Sequence, residues 1–245
     1  MMLISLSILD YEPELAAYVN DILESKAIAT ILSLIKTGKI RRVHIDVMKP
    51  PMIPKRTAFK TDLIRAVYQC LSDKIPLATH LMVDNPYPII EEMNTFIPTK
   101  ERAEFEVFVQ RESFSSEGDT IKALNFVKEC NYLSGICLNL PTSTKALTAP
   151  IVEASDIVLL MTVPMGTGGQ EYSEEGSRRI ILYSKKYPKK AIAVDGGMNL
   201  KTIVEVEKAG AKIAIVGSFI TRNEHPVNAV YDLEQSLKNF RTRKS

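Results

Sequence analysis

Short apolar runs recur along the chain, and the segments between them bring apolar residues back every three or four positions. The runs fall at 3–9, 42–48, 77–83, 105–110, 135–140, 157–163, 191–195 and 213–217. Runs of this length, bounded by turn residues, predict buried strands. The intervening segments predict helices. Thr61 stands where an N-cap belongs, ahead of Leu63, Val67 and Leu71 spaced by four. Gly118, Asp119 and Thr120 open another helix, which carries Ile121, Leu124 and Val127. Asn199 is placed to cap a helix over 200–209, and Gly210 sits where a helix ends. A last helix is predicted over 226–240. Between the first two runs, Leu15, Val19 and Ile22 mark one amphipathic stretch and 27–36 marks another, so the first βα unit carries an extra helix.

Eight strands alternating with helices imply a parallel sheet, and eight such units in 245 residues suggest closure into a single (β/α)8 TIM barrel over 1–245. An open doubly wound sheet is the alternative, but no G-x-G-x-x-G follows the first strand. No linker, low-complexity block or repeat beyond the βα rhythm interrupts the chain.

Strand side chains alternate between faces, so His44, Asp46 and Met48 share one face of the second strand, and His80 and Met82 share one face of the third. Asp195 ends the seventh strand. These positions point to the C-terminal rim, where barrel enzymes keep their active sites. An unpaired carboxylate or imidazole buried there is costly, so something should compensate. Two histidines and two aspartates make a plausible set for one divalent ion. Zinc suits it first, and Fe2+, Mn2+ or Co2+ share its ligand types. Taken singly, each residue also reads as an ordinary satisfied histidine, helix cap or salt-bridge carboxylate. The third histidine, His225, falls in a loop.

Glycines follow the last three strands: Gly166, Gly168 and Gly169 after the sixth, Gly196 and Gly197 after the seventh, and Gly217 with Ser218 after the eighth. Glycine lets backbone N–H groups approach an anion, and late βα loops of barrels often hold phosphate. Turns need glycine in any case, so the signal lies in the three consecutive placements.

Composition narrows the picture further. The chain is 45% hydrophobic and 24% charged, with a formal net charge of +2. That charge is too small to imply nucleic acid or an anionic membrane as partner. The basic end, Arg241 to Lys244, reads as a loose, solvated terminus. Cys70, Cys130 and Cys137 match no zinc or disulfide spacing, and Cys70 and Cys130 read as thiols on apolar helix faces, which fits a reducing cytosol. The N-terminus lacks the basic start and longer apolar core of a signal peptide, and the run from 157 to 165 is too short to span a bilayer. A soluble, cytoplasmic protein is expected.

The motifs carry a resemblance that runs from about 5 to 220. The stretches are Ser-Ile-Leu at 7–9, His-Ile-Asp-Val-Met at 44–48, His-Leu-Met-Val at 80–83 with Asn-Pro at 85–86, and Leu-Asn at 138–139. They continue with Leu-Leu-Met at 159–161, Gly-Gly-Gln at 168–170, Val-Asp-Gly-Gly at 194–197 and Val-Gly-Ser at 216–218. In order and spacing the chain resembles the ribulose-phosphate 3-epimerases and relatives such as allulose-6-phosphate 3-epimerase. The resemblance implies a barrel of the ribulose-phosphate-binding type, with His44, Asp46, His80 and Asp195 as metal ligands. It implies that Asp46 and Asp195 are the acid–base pair on opposite faces of the sugar, working through an enediolate. It makes Ser7 and His80 substrate contacts, and Met48, Met82 and Met161 a wall around the reacting carbons, though methionine is ordinarily core filler. Gly168, Gly169, Gly196, Gly197, Gly217 and Ser218 resemble the phosphate cradle. D-ribulose 5-phosphate and D-xylulose 5-phosphate, in the pentose phosphate pathway, are the substrate pair this implies. A small sugar phosphate is then the partner, and a homo-oligomer is expected.

Three loops depart from the family pattern. The family's Asp-Gly start and Phe-Val-Pro-Asn continuation after the second strand are replaced here by Lys49-Pro50-Pro51-Met52-Ile53-Pro54-Lys55. Its His-x-Glu after the fourth becomes Gln110-Arg111-Glu112, and its Asn-Pro-Gly-Phe-Gly-Gly after the sixth becomes Pro164-Met165-Gly166-Thr167-Gly168-Gly169. No ligand is lost, so the departures bear on the substrate more than on the reaction. A hexulose phosphate such as allulose 6-phosphate is one alternative, and a sugar-phosphate-binding barrel without turnover is another. A barrel lyase or decarboxylase needs Asp-x-Lys-x-x-Asp, and Asp46 to Lys49 has the wrong spacing.

Overall fold

Each strand pairs in parallel with the next, and the last returns to the first, so the sheet closes on itself. The strands are β1 (Leu3–Ser7), β2 (Ile40–Met48), β3 (Leu77–Met82), β4 (Glu106–Gln110), β5 (Leu133–Leu138), β6 (Ile157–Met161), β7 (Ala191–Asp195) and β8 (Ile213–Val216). Helices follow in the order a (β/α)8 barrel requires. The structure, a computed structural model, describes residues 2–242.

Alternation of side chains builds two cores. Val43, Ile45 and Val47 on β2, with Leu81, Val107, Ile136, Leu160 and Val194, join the large cluster between the sheet and the helices. The other face of the same strands fills the barrel with Phe108, Cys137, Leu159, Met161, Ala193 and Ile215. A strand buried on both faces reads as a continuous apolar run, which is why the eight runs are visible in the sequence.

Several strands end earlier than the runs predict. The first run extends to 9, but Ile8 has φ −101° and ψ 17° and opens a 3-10 turn at Leu9–Tyr11. Val83 and Val163 also lie past their strands. All three remain buried, with Ile8 at 0%, Val83 at 3% and Val163 at 4% exposure, because their side chains stay in the two cores beyond the last paired residue. Conversely β2 begins at Ile40 and β5 at Leu133, two residues before each expected start.

The extra segment of the first βα unit is present as the short helix α1 (Glu12–Ala17) and a 3-10 turn at Ile22–Glu24, ahead of α2 (Lys26–Lys36). Glu14 ties the two helices together. Its Oε1 accepts Ser25 Oγ–H at 2.9 Å and Ala27 N–H at 3.0 Å. In α3 (Thr61–Leu71) the N-cap is Lys60, not Thr61, and no side chain caps it. After α4 (Tyr87–Asn94), α5 (Glu117–Glu129) begins ahead of Gly118, because Ser116 Oγ accepts Asp119 N–H at 3.1 Å. Then come α6 (Ala149–Ala154), α7 (Glu174–Lys186) and α8 (Thr202–Ala209). Asn199 caps the turn leading into α8 by accepting Lys201 N–H at 2.9 Å and Thr202 N–H at 3.0 Å. Gly210 ends α8 in the left-handed region, at φ 112°.

The chain closes with α9 (Ser218–Thr221) and α10 (Pro226–Thr242). Arg241 is not loose: its Nη2 lies 2.7 Å from Glu207 Oε1. Arg243 and Lys244 of the basic terminus lie outside the described residues. The three cysteines are free. Cys70 is buried on α3, whereas Cys130 sits half-buried at the end of α5, where its sulfur accepts Asn94 Nδ2–H at 3.2 Å. Among the described residues, no helix is long and apolar enough to cross a membrane.

Candidate active site

The inward face of β2 presents Arg42, His44, Asp46 and Met48 in successive layers from floor to rim. At the floor Arg42 Nη1 meets Glu106 Oε1 of β4 at 2.7 Å. One layer up, His44 lies against Phe108, with ring centroids 5.9 Å apart. The parallel register then sets Asp46 beside His80 on β3, and Asp195 beside Met161 at the end of β6. His44 and His80 therefore lie within their strands rather than at the strand ends.

Four side chains converge across this layer. One donor atom from each of His44, Asp46, His80 and Asp195 can be chosen so that all lie within 4.8 Å of one another. His44 Nε2 is 3.3 Å from Asp46 Oδ1, and His80 Nδ1 is 3.5 Å from the same oxygen. Both nitrogens are buried and neither has a hydrogen-bond partner. Buried polar atoms are rarely left unsatisfied, so two bare nitrogens aimed at one carboxylate oxygen mark a place for a cation. The donor set of two imidazoles and two carboxylates can hold a divalent metal ion. Ser7 Oγ donates to the other oxygen of Asp46, Oδ2, at 2.8 Å.

The two carboxyl groups are driven apart. Burial raises Asp46, but the neighbouring His44 and His80 outweigh it and hold the group far below its ordinary 3.8. At Asp195 burial and then the charge of Asp46 act in the same direction and push the carboxyl up to about 6. Of the two carboxyls, Asp195 is therefore the more readily protonated.

A cleft opens above this layer. Ser7, Asp46, Met48, Met82, Met161 and Asp195 line its depth, and Gly168, Gly169, Gly196, Gly197, Gly217 and Ser218 line one side. The three methionines are buried and also face the cleft, so they are wall as well as core. Of the residues the resemblance places as ligands, substrate contacts or phosphate cradle, His44 and His80 alone are not part of the lining. At Gly197, φ is +66° and an added Cβ would lie 2.5 Å from Tyr172 N, so only glycine permits the turn after β7.

Several contacts carry no sequence signal of their own. Asp10 lines the cleft and holds Arg222: Nη2 donates to Oδ1 at 2.7 Å and Nε to Oδ2 at 3.1 Å. Thr221 Oγ–H donates to the same Oδ2 at 2.6 Å. The guanidinium rests on Gly169, where an added Cβ would be 2.6 Å from Nη1. Arg56 Nη1 donates to Gly166 O at 2.6 Å and bolts the second loop to the sixth. Lys49 and Lys55 are exposed and do not line the cleft. Gln110, fully buried at the end of β4, has Oε1 2.7 Å from His80 Nε2 and donates Nε2–H to Glu112 Oε2 at 2.6 Å.

Comparison with known proteins points to one sequence family. A sequence profile described as the ribulose-phosphate 3 epimerase family matches residues 23–221. A ribulose-phosphate 3-epimerase of Schizosaccharomyces pombe is 27% identical over 80% of this chain and 81% of its own. The cytoplasmic isoform of ribulose-phosphate 3-epimerase from Oryza sativa is 29% identical over 82% of this chain and 84% of its own. Among solved structures, 3-hexulose-6-phosphate synthase of Salmonella typhimurium superimposes with a TM-score of 0.66, covering 98% of this chain and 100% of its own. At 17% identity that likeness speaks to the barrel fold alone.

Proposed function

We propose that this chain, which belongs to the ribulose-phosphate 3-epimerase family and is an isomerase, interconverts D-ribulose 5-phosphate and D-xylulose 5-phosphate. The observation that carries the reading is the pair Asp46 and Asp195 in one cluster with two bare imidazole nitrogens. The name shared by relatives that match four fifths of the chain supports the substrate.

Inverting a carbon requires a proton to leave one face and another to arrive on the opposite face. Asp46, held ionised, takes the carbon-3 proton. Asp195, the more readily protonated of the pair, delivers a proton from behind, and the roles exchange in the reverse direction. Ser7 orients Asp46 through its hydrogen bond to Oδ2 and is positioned to touch the sugar. Met48, Met82 and Met161 keep water from the flat enediolate. Gly168, Gly169, Gly196, Gly197, Gly217 and Ser218 receive the phosphate through backbone N–H groups, and this remote contact aligns the reacting carbon. His44, Asp46, His80 and Asp195 would hold the ion, for which zinc is our first choice ahead of Fe2+, Mn2+ or Co2+. Bound there, a divalent ion supplies Lewis-acid polarisation of the ketose oxygens.

With this reading the chain is one barrel domain, a homo-oligomer, acting in the cytoplasm within the pentose phosphate pathway. The test is a panel of ketose phosphates turned over in D2O and scored for deuterium at carbon 3. Incorporation into ribulose 5-phosphate is expected, and its absence from every member of the panel rejects the proposal.

A further inference from the structure

We propose that Gln110 and Glu112 form a positioning relay that fixes the tautomer of His80 and so presents its Nδ1 lone pair to the ion. The inference rests on the reading of the four-residue cluster as a metal centre and assigns a role to residues outside it.

The argument runs along one chain of hydrogen bonds. Glu112 Oε1 accepts Asn139 N–H at 3.1 Å, which pins the carboxylate at the end of β5. Its Oε2 then meets the Gln110 amide at 2.6 Å. An ionised carboxylate only accepts, so the NH2 of Gln110 must face Glu112. The Gln110 carbonyl is thereby turned to His80 Nε2, 2.7 Å away. A carbonyl also only accepts, so His80 Nε2 must carry a hydrogen. In the neutral imidazole Nδ1 is then bare, and Nδ1 is the buried atom without a partner beside Asp46 Oδ1. Each link leaves the next a single orientation. Metal-binding histidines commonly have their second nitrogen fixed in this way, and loss of such a partner weakens metal binding about 10–100-fold.

The relay also explains why the exchange at this position is tolerable. In the family pattern a histidine stands where this chain has Gln110. A neutral imidazole can accept from His80 with one nitrogen and donate to Glu112 with the other, so either residue can pass the constraint on. An apolar side chain of the same volume cannot. Gln110 is fully buried and does not line the cleft, so its contribution goes through His80 rather than through the sugar.

The experiment measures Zn2+ affinity of the full chain by competition with a chromogenic chelator, for wild type, Gln110→Met, Gln110→His, Glu112→Gln and the double variant Gln110→Met/Glu112→Gln. We expect Gln110→Met to weaken binding about 10–100-fold. Gln110→His should restore most of it, and the double variant should be no weaker than Gln110→Met alone, because both act along one route. A packing role predicts the opposite order, since methionine keeps the unbranched shape of glutamine and histidine, a ring, does not. Zn2+ binding by Gln110→Met within about twofold of wild type, or tighter than by Gln110→His, overturns the relay. Should Gln110→Met fail to fold, Glu112→Gln alone decides: it frees the amide to turn, so a several-fold loss supports the relay and unchanged affinity overturns it. Wild-type protein without Zn2+ affinity overturns the metal centre itself and the relay with it, and that failure shows in the wild type rather than in the variants.

Discussion

Ser7 Oγ donates to Asp46 Oδ2 at 2.8 Å, and that bond divides the carboxylate into two working halves. With Oδ2 occupied, Oδ1 is the oxygen left facing His44 and His80. Both residues are buried, Ser7 at 6% and Asp46 at 3% exposure, so the bond is made largely out of water.

Ser7→Ala should therefore leave a buried carboxylate oxygen without its donor and free to turn. A hydrogen bond to a charged group contributes about 1.5–3 kcal/mol, which corresponds to roughly a ten- to hundredfold fall in kcat/KM if the bond sets the geometry of the base. Steady-state kinetics on ribulose 5-phosphate check this, and kcat/KM within twofold of wild type would mean that Asp46 is aligned without Ser7.

Asp46→Asn or Asp195→Asn should abolish epimerisation, because each removes a proton carrier and a donor to the ion. The discriminating readout is isotopic. A variant that keeps its metal should still exchange the carbon-3 proton of one epimer, handled by the surviving carboxylate, and should not convert it to the other. Near-normal interconversion in either variant excludes the two-aspartate mechanism.

The barrel was legible in the sequence because its strands are buried on both faces and alternate with amphipathic helices. The centre was legible because His44, Asp46, His80 and Asp195 are polar at positions where a barrel interior is normally apolar. The strand ends were not, since Ile8, Val83 and Val163 stay in the cores after strand pairing has stopped. The hydrogen bond from His80 to Gln110 joins different strands 30 residues apart, and the Asp10–Arg222 pair spans 212 residues. No periodicity encodes such contacts.

That pair gives a prediction about pH. Burial raises the Asp10 carboxyl, but hydrogen bonds from Arg222 and Thr221, with the Arg222 charge, outweigh it and hold the group below its ordinary 3.8. The folded chain thus binds this proton less readily than the unfolded chain, so the contribution is full above the unfolded value and disappears as pH falls through the folded one. Arg222 is 56% exposed, so the contribution is at most about 1 kcal/mol. Urea unfolding of wild type and Asp10→Asn between about pH 3 and 6 should show a stability gap that closes toward acid. A gap independent of pH would show that Asp10 acts as a neutral hydrogen-bond acceptor.

The last prediction concerns the sugar. In the sequence, Lys49 and Lys55 suggest an extra anion site, Gln110 suggests an altered pocket wall, and Thr167 suggests a wider mouth. The first two suggestions weaken with the fold in hand, because both lysines are exposed away from the cleft and Gln110 is turned to His80. Thr167 remains: it lines the cleft at the position where the family pattern has phenylalanine. One smaller residue in a mouth admits a longer chain without adding a contact that would prefer it. We therefore expect ribulose 5-phosphate to be favoured over allulose 6-phosphate by about a hundredfold or more in kcat/KM, about 2.7 kcal/mol of differential transition-state binding. Thr167→Phe should lower whatever hexulose turnover exists by a larger factor than pentulose turnover. Measuring both substrates on both proteins decides it: a hexulose preference in the wild type overturns the choice of substrate while leaving the two aspartates in place, because carbon 3 meets the same carboxylates in either sugar.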